Sequence, residues 1–151
     1  MKRIGNLFDK IANMDNLILA DIKARRGKKD SYGIRLFDKD KEGNLSRLLK
    51  SLLDGTFKTS KYRTDTIYEP KERVIFKLPY YPDRILHHAI MNVMEPVWVS
   101  IFTSDTTSCI KGRGITEAYK RTRRALSDRE SAYCLKVDIR KFYPSIDHEV
   151  L

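Results

Sequence analysis

The stretch Lys136-Val137-Asp138-Ile139-Arg140-Lys141-Phe142-Tyr143-Pro144-Ser145-Ile146-Asp147-His148 decides how the rest of the chain is read. Leading into it, Tyr133, Leu135, Val137 and Ile139 alternate with Cys134, Lys136, Asp138 and Arg140. A period of two predicts a strand with one apolar face. The opposite face carries Asp138 between two cations. A carboxylate near the end of a buried strand, followed by a turn with two aromatics, suits a divalent metal held against a nucleotide. An aspartate that ends a strand and pairs with Lys136 or Arg140 fits the spacing equally well. Asp147, beyond the strand, is placed to cap a following helix.

The charge balance narrows the class of partner. The 151 residues include 30 Lys plus Arg against 20 Asp plus Glu, a formal net charge of +10. Such an excess points to a polyanion, nucleic acid first and an anionic membrane surface second. The length suffices for one domain with its own core. No window approaches the roughly 18 apolar residues of a membrane span. Met1-Lys2-Arg3-Ile4-Gly5-Asn6 lacks the apolar segment of a secretory signal. Cys109 and Cys134 lie far apart without metal-ligand spacing, as reduced thiols do. The expectation is a cytoplasmic, polyanion-binding chain without a membrane partner.

Working back along the chain, a first helix is expected from Asp15 or Asn16 to Gly27, ending in a basic run of Lys23, Arg25, Arg26, Lys28 and Lys29. Cations at a helix C-terminus complement the backbone dipole, and phosphate contact is the second reading of so dense a run. Residues 30–43 are polar and read as a loop. Leu45, Leu48, Leu49, Leu52 and Leu53 follow at helical spacing, with Asn44 as the expected N-cap and Gly55 as the stop. Residues 64–79 read as a hairpin around Glu69-Pro70-Lys71-Glu72. Arg73 and Lys77 share a face of its second strand, positioned for phosphates or as a charged edge that resists sheet-to-sheet association.

A deeply buried helix is expected over residues 83–95, from Ile85, Leu86, Ala89, Ile90, Val93 and Met94. His87 and His88 within it lack a third ligand at suitable spacing, so one is expected to pack and the other to face solvent. Lys111-Gly112-Arg113-Gly114 precedes a basic helix over about 115–127 that carries Lys120, Arg121, Arg123 and Arg124. Glycines and a helix N-terminus favour an anion, although the Lys-Ser/Thr ending of a nucleotide-hydrolysing phosphate loop is missing.

Taken in order, these segments resemble the amino-terminal half of a bacterial retroelement reverse transcriptase, of the group II intron, diversity-generating or defence-associated (antiviral) kind. The resemblance rests on Leu7 through Lys28, on Arg73 to Pro79 with Asp83-Arg84-Ile85 and Met94-Glu95-Pro96, on Ser108 through Gly114, and on Lys136 through Tyr143. Ser108-Cys109-Ile110 departs from the usual aromatic-glycine start of its loop but keeps the Gly-Arg-Gly core.

The resemblance implies an α+β fold, helix-rich with a small antiparallel hairpin: the fingers of a right-hand polymerase over residues 1–129, then the beginning of the palm with its first strand over 130–151. It implies RNA-directed DNA polymerase activity on an RNA template with a DNA or RNA primer and dNTPs, with a partner RNA or accessory protein as a further association. Two Mg²⁺ ions about 3.5–4 Å apart serve such a reaction. Asp138 would be one carboxylate ligand, and the Ile139 carbonyl an additional one. Tyr143 matches the aromatic that excludes a ribose 2′-hydroxyl, with Phe142 beside it, and Arg73 and Lys77 would meet the incoming triphosphate. Arg113 and Arg84 are further candidates for that role, Arg84 alternatively bracing the fold through Asp83 or Glu95. The nucleic-acid surface would draw on Lys23, Arg25, Arg26, Lys28, Lys29, Lys111, Arg113, Lys120, Arg121 and Arg124.

The second catalytic motif of that family, an aromatic followed by two aspartates, does not occur in the sequence. The expectation is therefore a fragment without a thumb, inactive by itself. A stand-alone basic module that binds RNA or template without chemistry is the alternative. Intron mobility, hypermutation and phage defence use similar catalytic halves, so the resemblance implies chemistry and not a biological programme.

Overall fold

Asn13 opens the first long helix because its side chain accepts the backbone N–H of Asp15 at 2.9 Å, satisfying a donor that the first turn leaves free. In this computed structural model, which describes residues 3–28, 31–127, 133–147 and 149–150, the chain divides into two units, Met1–Phe102 and Thr103–Leu151. The first unit begins with α1 (Leu7–Ile11) and α2 (Met14–Ala24). Leu17, Ala20, Asp21 and Ala24 of α2 are buried, a spacing that places one stripe against the core.

Residues 30–43, expected as a loop, contain a helix, α3 (Tyr32–Asp38), and the start of α4 (Lys41–Leu53). Ile34 and Phe37 are buried and anchor α3 in the core. Two anchors among polar residues give almost no periodic signal, so this helix owes its form to packing. Gly33 permits the close approach: a Cβ there would come within 3.0 Å of Tyr80 Cβ. The cap of α4 is Asp40, which accepts from Gly43 N at 3.1 Å, and not Asn44. Asn44 instead lies inside the helix and donates to the Phe37 carbonyl at 3.0 Å. Leu45, Leu48 and Leu52 reach the core as expected, and Leu53 faces solvent.

β1 (Arg63–Ile67) and β2 (Arg73–Lys77) form the expected antiparallel hairpin, pairing Arg63 with Lys77 and Ile67 with Arg73. Only Ile75 of the two strands is half-buried. A wide turn, Tyr80–Arg84, leads into α5 (Ile85–Ile101), which runs on past Pro96. Burial in α5 is confined to Ile85, Leu86 and Ala89, less than its apolar face implied. The first unit covers the N-terminal half, where α5 packs on α2 and α1. Asn16 clasps this contact, donating to the Ala89 carbonyl at 3.0 Å and accepting from Asn92 at 2.9 Å.

The second unit contains α6 (Ile115–Leu126), which follows the loop near Gly114. The strand expected over residues 133–140 is not formed. Among the described residues no partner ladder meets it, and Tyr133 and Leu135 are 97% and 87% exposed. Alternation marks which side chains would share a face, but a strand needs a neighbour to take its N–H and C=O groups. Residues Tyr143–Ser145 form one 3-10 turn, and Asp147 accepts from Glu149 N at 2.9 Å in a local turn, with no helix for it to cap among the described residues.

Candidate functional site

The basic run after α2 has an internal use. Arg25 donates to both oxygens of Asp21, at 2.7 and 2.9 Å, and to Asp38 at 2.9 Å. Asp38 foremost, with Asp21, raises the Arg25 pKa further above its already high value. Asp21 itself is fully buried and also takes Lys41 Nζ at 2.7 Å and the Tyr80 hydroxyl at 2.5 Å. Burial alone would raise its pKa, and the hydrogen bonds from Lys41, Tyr80 and Arg25 outweigh that and hold it below the usual carboxylate range. Burial, and then the bond to Asp21, pushes the Tyr80 hydroxyl pKa up. This network ties α2, α3, α4 and the turn before α5 together. Arg25 is thereby a structural cation, whereas Arg26 and Lys28 are exposed and Lys23 half-buried. Lys29 lies outside the described residues.

Beside this network the first unit carries a groove of about 870 Å³ between α3 and the base of the hairpin. Its cations are Lys28, Lys39, Lys61, Arg63, Lys77 and Arg84, against one carboxylate, Asp40. Tyr32, Phe37, Tyr80 and Tyr81 supply its aromatic surface. Phe37 packs edge-on to Tyr80 with centroids 5.5 Å apart and tilted on Tyr81 at 5.6 Å. Asp83 is buried, accepting from Ser60 N at 3.0 Å, and its Oδ2 has no partner among the described residues.

The sequence candidates are distributed over both units. Arg73 and Lys77 stand on β2, and Lys77 pairs with Asp65 across the hairpin. In the second unit Asp138 is exposed and Tyr143 packs edge-on to Phe142 with centroids 5.3 Å apart. Among the described residues no cluster of three or more His, Cys, Asp or Glu side chains forms a metal-ligand group. His87 is exposed and His88 half-buried, as expected of a packing pair.

On α6, Arg121 is held by Glu117 at 2.9 Å and Asp105 at 3.0 Å and donates to the Ser104 carbonyl. Glu117 first, then Asp105, raises the Arg121 pKa, and Arg121 lowers that of Glu117. Arg113 donates to the Thr103 carbonyl at 3.2 Å. Lys111, Lys120 and Arg124 are exposed and make no ion pair among the described residues, so they are part of the cationic surface of this unit.

Sequence reasoning missed Tyr32, Lys39, Lys61 and Arg63 as lining of one groove. The signal was present in Phe57-Lys58-Thr59-Ser60-Lys61-Tyr62-Arg63, where cations and aromatics interleave. No family model matches the chain, and no curated protein matches it. No helix among the described residues is long and apolar enough to cross a membrane.

Proposed function

We propose that the chain is the amino-terminal part of an RNA-directed DNA polymerase, its fingers and the first catalytic motif of its palm. The observation that carries the reading is the ordered set of motifs ending in Lys136 through Tyr143, with an antiparallel hairpin where those motifs call for one. Alternation along β2 puts Arg73 and Lys77 on one face, the arrangement a triphosphate contact requires. Asp138 supplies one carboxylate, and the reading requires the others from a paired-aspartate motif, which this sequence does not contain. Tyr143 presents a ring with no carboxylate to accept a 2′-hydroxyl, which favours deoxynucleotides.

The deciding experiment is primer extension on an RNA template by a protein that carries this segment together with a paired-aspartate motif. Asp138→Asn is expected to abolish extension while template–primer retention on a filter stays close to that of the parent. Extension that survives the substitution removes Asp138 from the metal site.

A second reading, a basic module that binds RNA without chemistry, is favoured by the cation-rich groove and by the exposed cations of α6. It requires salt-dependent RNA binding by this chain alone, and no extension by any protein that contains it.

A further inference from the structure

His87, Met91, Met94, Trp98 and Ile101 recur along α5 at steps of four, three, four and three, the spacing of a coiled-coil seam. At about 100° per residue this stripe lies opposite the side of α5 that packs in the first unit. On the packing side Ile85 and Ala89 are buried and Asn92 bonds Asn16 of α2. Pro96 falls on that side as well, so it leaves the seam unbroken. Met91, Trp98, Ile101 and the adjoining Phe102 are 38–52% exposed, His87 is exposed and Met94 half-buried. Charge singles out an occupant for the stripe. The chain carries a net +10, which repels a second copy wherever cations meet cations. α5 is the exception, because Glu95 is its one Asp, Glu, Lys or Arg residue. Arg84 immediately precedes the helix, and neither it nor Glu95 forms an ion pair among the described residues. Two antiparallel copies of α5 are therefore complementary: Glu95 of each turns toward the Arg84 end of the other, and the helix dipoles oppose. A strongly acidic partner would find no lysine or arginine along the stripe to pair with.

We propose that two copies of the chain associate through this stripe, α5 against α5 in an antiparallel pair. Centred on Met91 and Met94, the pair sets His87 of one copy against Trp98 of the other. The contact is the same patch on both copies, so it closes at two. Over about four turns of helix it comes near the lower bound of specific interfaces, roughly 1,000 Å² in total. The dimer is accordingly reversible, with a dissociation constant on the order of 10 µM. The inference uses residues of the first unit alone and does not depend on the polymerase reading.

The test is sedimentation velocity on the full 151-residue chain after nuclease treatment, at concentrations from well below that constant to well above it. A monomer–dimer equilibrium is expected, with Trp98 emission moving to the blue as the indole leaves water. Met91→Lys and Ile101→Lys each place a cation in the seam at a position already open in the monomer, and a far-UV circular dichroism melt verifies that they fold. Each should weaken the dimer at least about tenfold. Ile22→Lys adds the same charge at an exposed position of α2, outside the seam, and should leave the dimer intact. Glu95→Gln should weaken it about threefold, the effect of one exposed ion pair. A chain that stays monomeric at every concentration overturns the proposal and leaves the stripe to a different polypeptide. Association that nuclease abolishes, or equal loss with Met91→Lys and Ile22→Lys, overturns it too. Asp138→Asn should leave the dimer unchanged, so failure here and failure of the polymerase reading are separable.

Discussion

Asp21→Asn removes one charge from the centre of the first unit while leaving the side-chain volume almost unchanged. The carboxylate is fully buried and receives Arg25, Lys41 and Tyr80 within 2.9 Å. Removing one partner of a buried ion pair costs about 3–5 kcal/mol when the opposite charge is left without water. Here the Arg25 and Lys41 side chains are 23% and 40% exposed and can rehydrate, which places the loss at the lower end, about 3 kcal/mol. For a unit of this size that corresponds to a fall in melting midpoint of roughly 12 °C or more. Trp98, the single tryptophan and part of α5, reports this unfolding by fluorescence.

The pH dependence gives the prediction a second readout. The folded pKa of Asp21 lies below its ordinary 3.8. The unfolded chain therefore takes up the proton first, and the contribution of Asp21 is complete above that ordinary value and is lost as pH falls through the lower folded one. The parent should lose its advantage over the Asn variant in that acid window, where the two melting curves converge. A variant that melts within about 2 °C of the parent at neutral pH would show that Asp21 does not organise this core.

Three further outcomes test other parts of the molecule. Burial first, then the charges of Arg84, Lys23, His87 and Lys28, lowers the His88 pKa below 6.5. The fold should weaken as pH falls from 6.5 through that lower value, and His88→Gln should flatten this part of the Trp98 melting profile. Lys120→Ala should weaken RNA binding and reduce the slope of log affinity against log salt by about 0.7–0.9, whereas Arg121→Ala, whose cation is already held by Glu117 and Asp105, should change the slope less. Equal effects in filter-binding titrations would place Arg121 among the phosphate contacts. In a protein that carries this segment together with a paired-aspartate motif, the proposed function expects Tyr143→Val to relax discrimination against ribonucleotides in single-nucleotide incorporation, and unchanged sugar selectivity would reject its assignment as the gate.

Local pattern carried α2, the leucine stripe of α4 and the hairpin, because each contains enough apolar or turn-forming residues to declare itself, and the glycines before residue 115 marked the start of α6. It failed for α3, where Ile34 and Phe37 are the whole signal and Tyr80 and Gly33 complete the packing. It also overstated α5, since an apolar face describes what can be buried and not how much neighbour is present to bury it. Residues 133–140 show the same limit from the other side: correct alternation, with no ladder among the described residues. Of the candidate site, the cations could be named individually in advance. Their division into engaged and available ones could not, because it depends on carboxylates distant in sequence such as Asp38 and Asp105.

By itself, then, the order of residues determined the excess of positive charge, the hairpin and the motif around Asp138, because these depend on composition or on neighbours a few positions apart. Tertiary structure alone decided that Arg25 and Arg121 are structural cations and that Lys28, Lys61 and Arg63 share a groove with Tyr32. The reason is physical: a charge acquires its role from the dielectric and the partners around it, and folding assembles both from segments that the chain keeps apart.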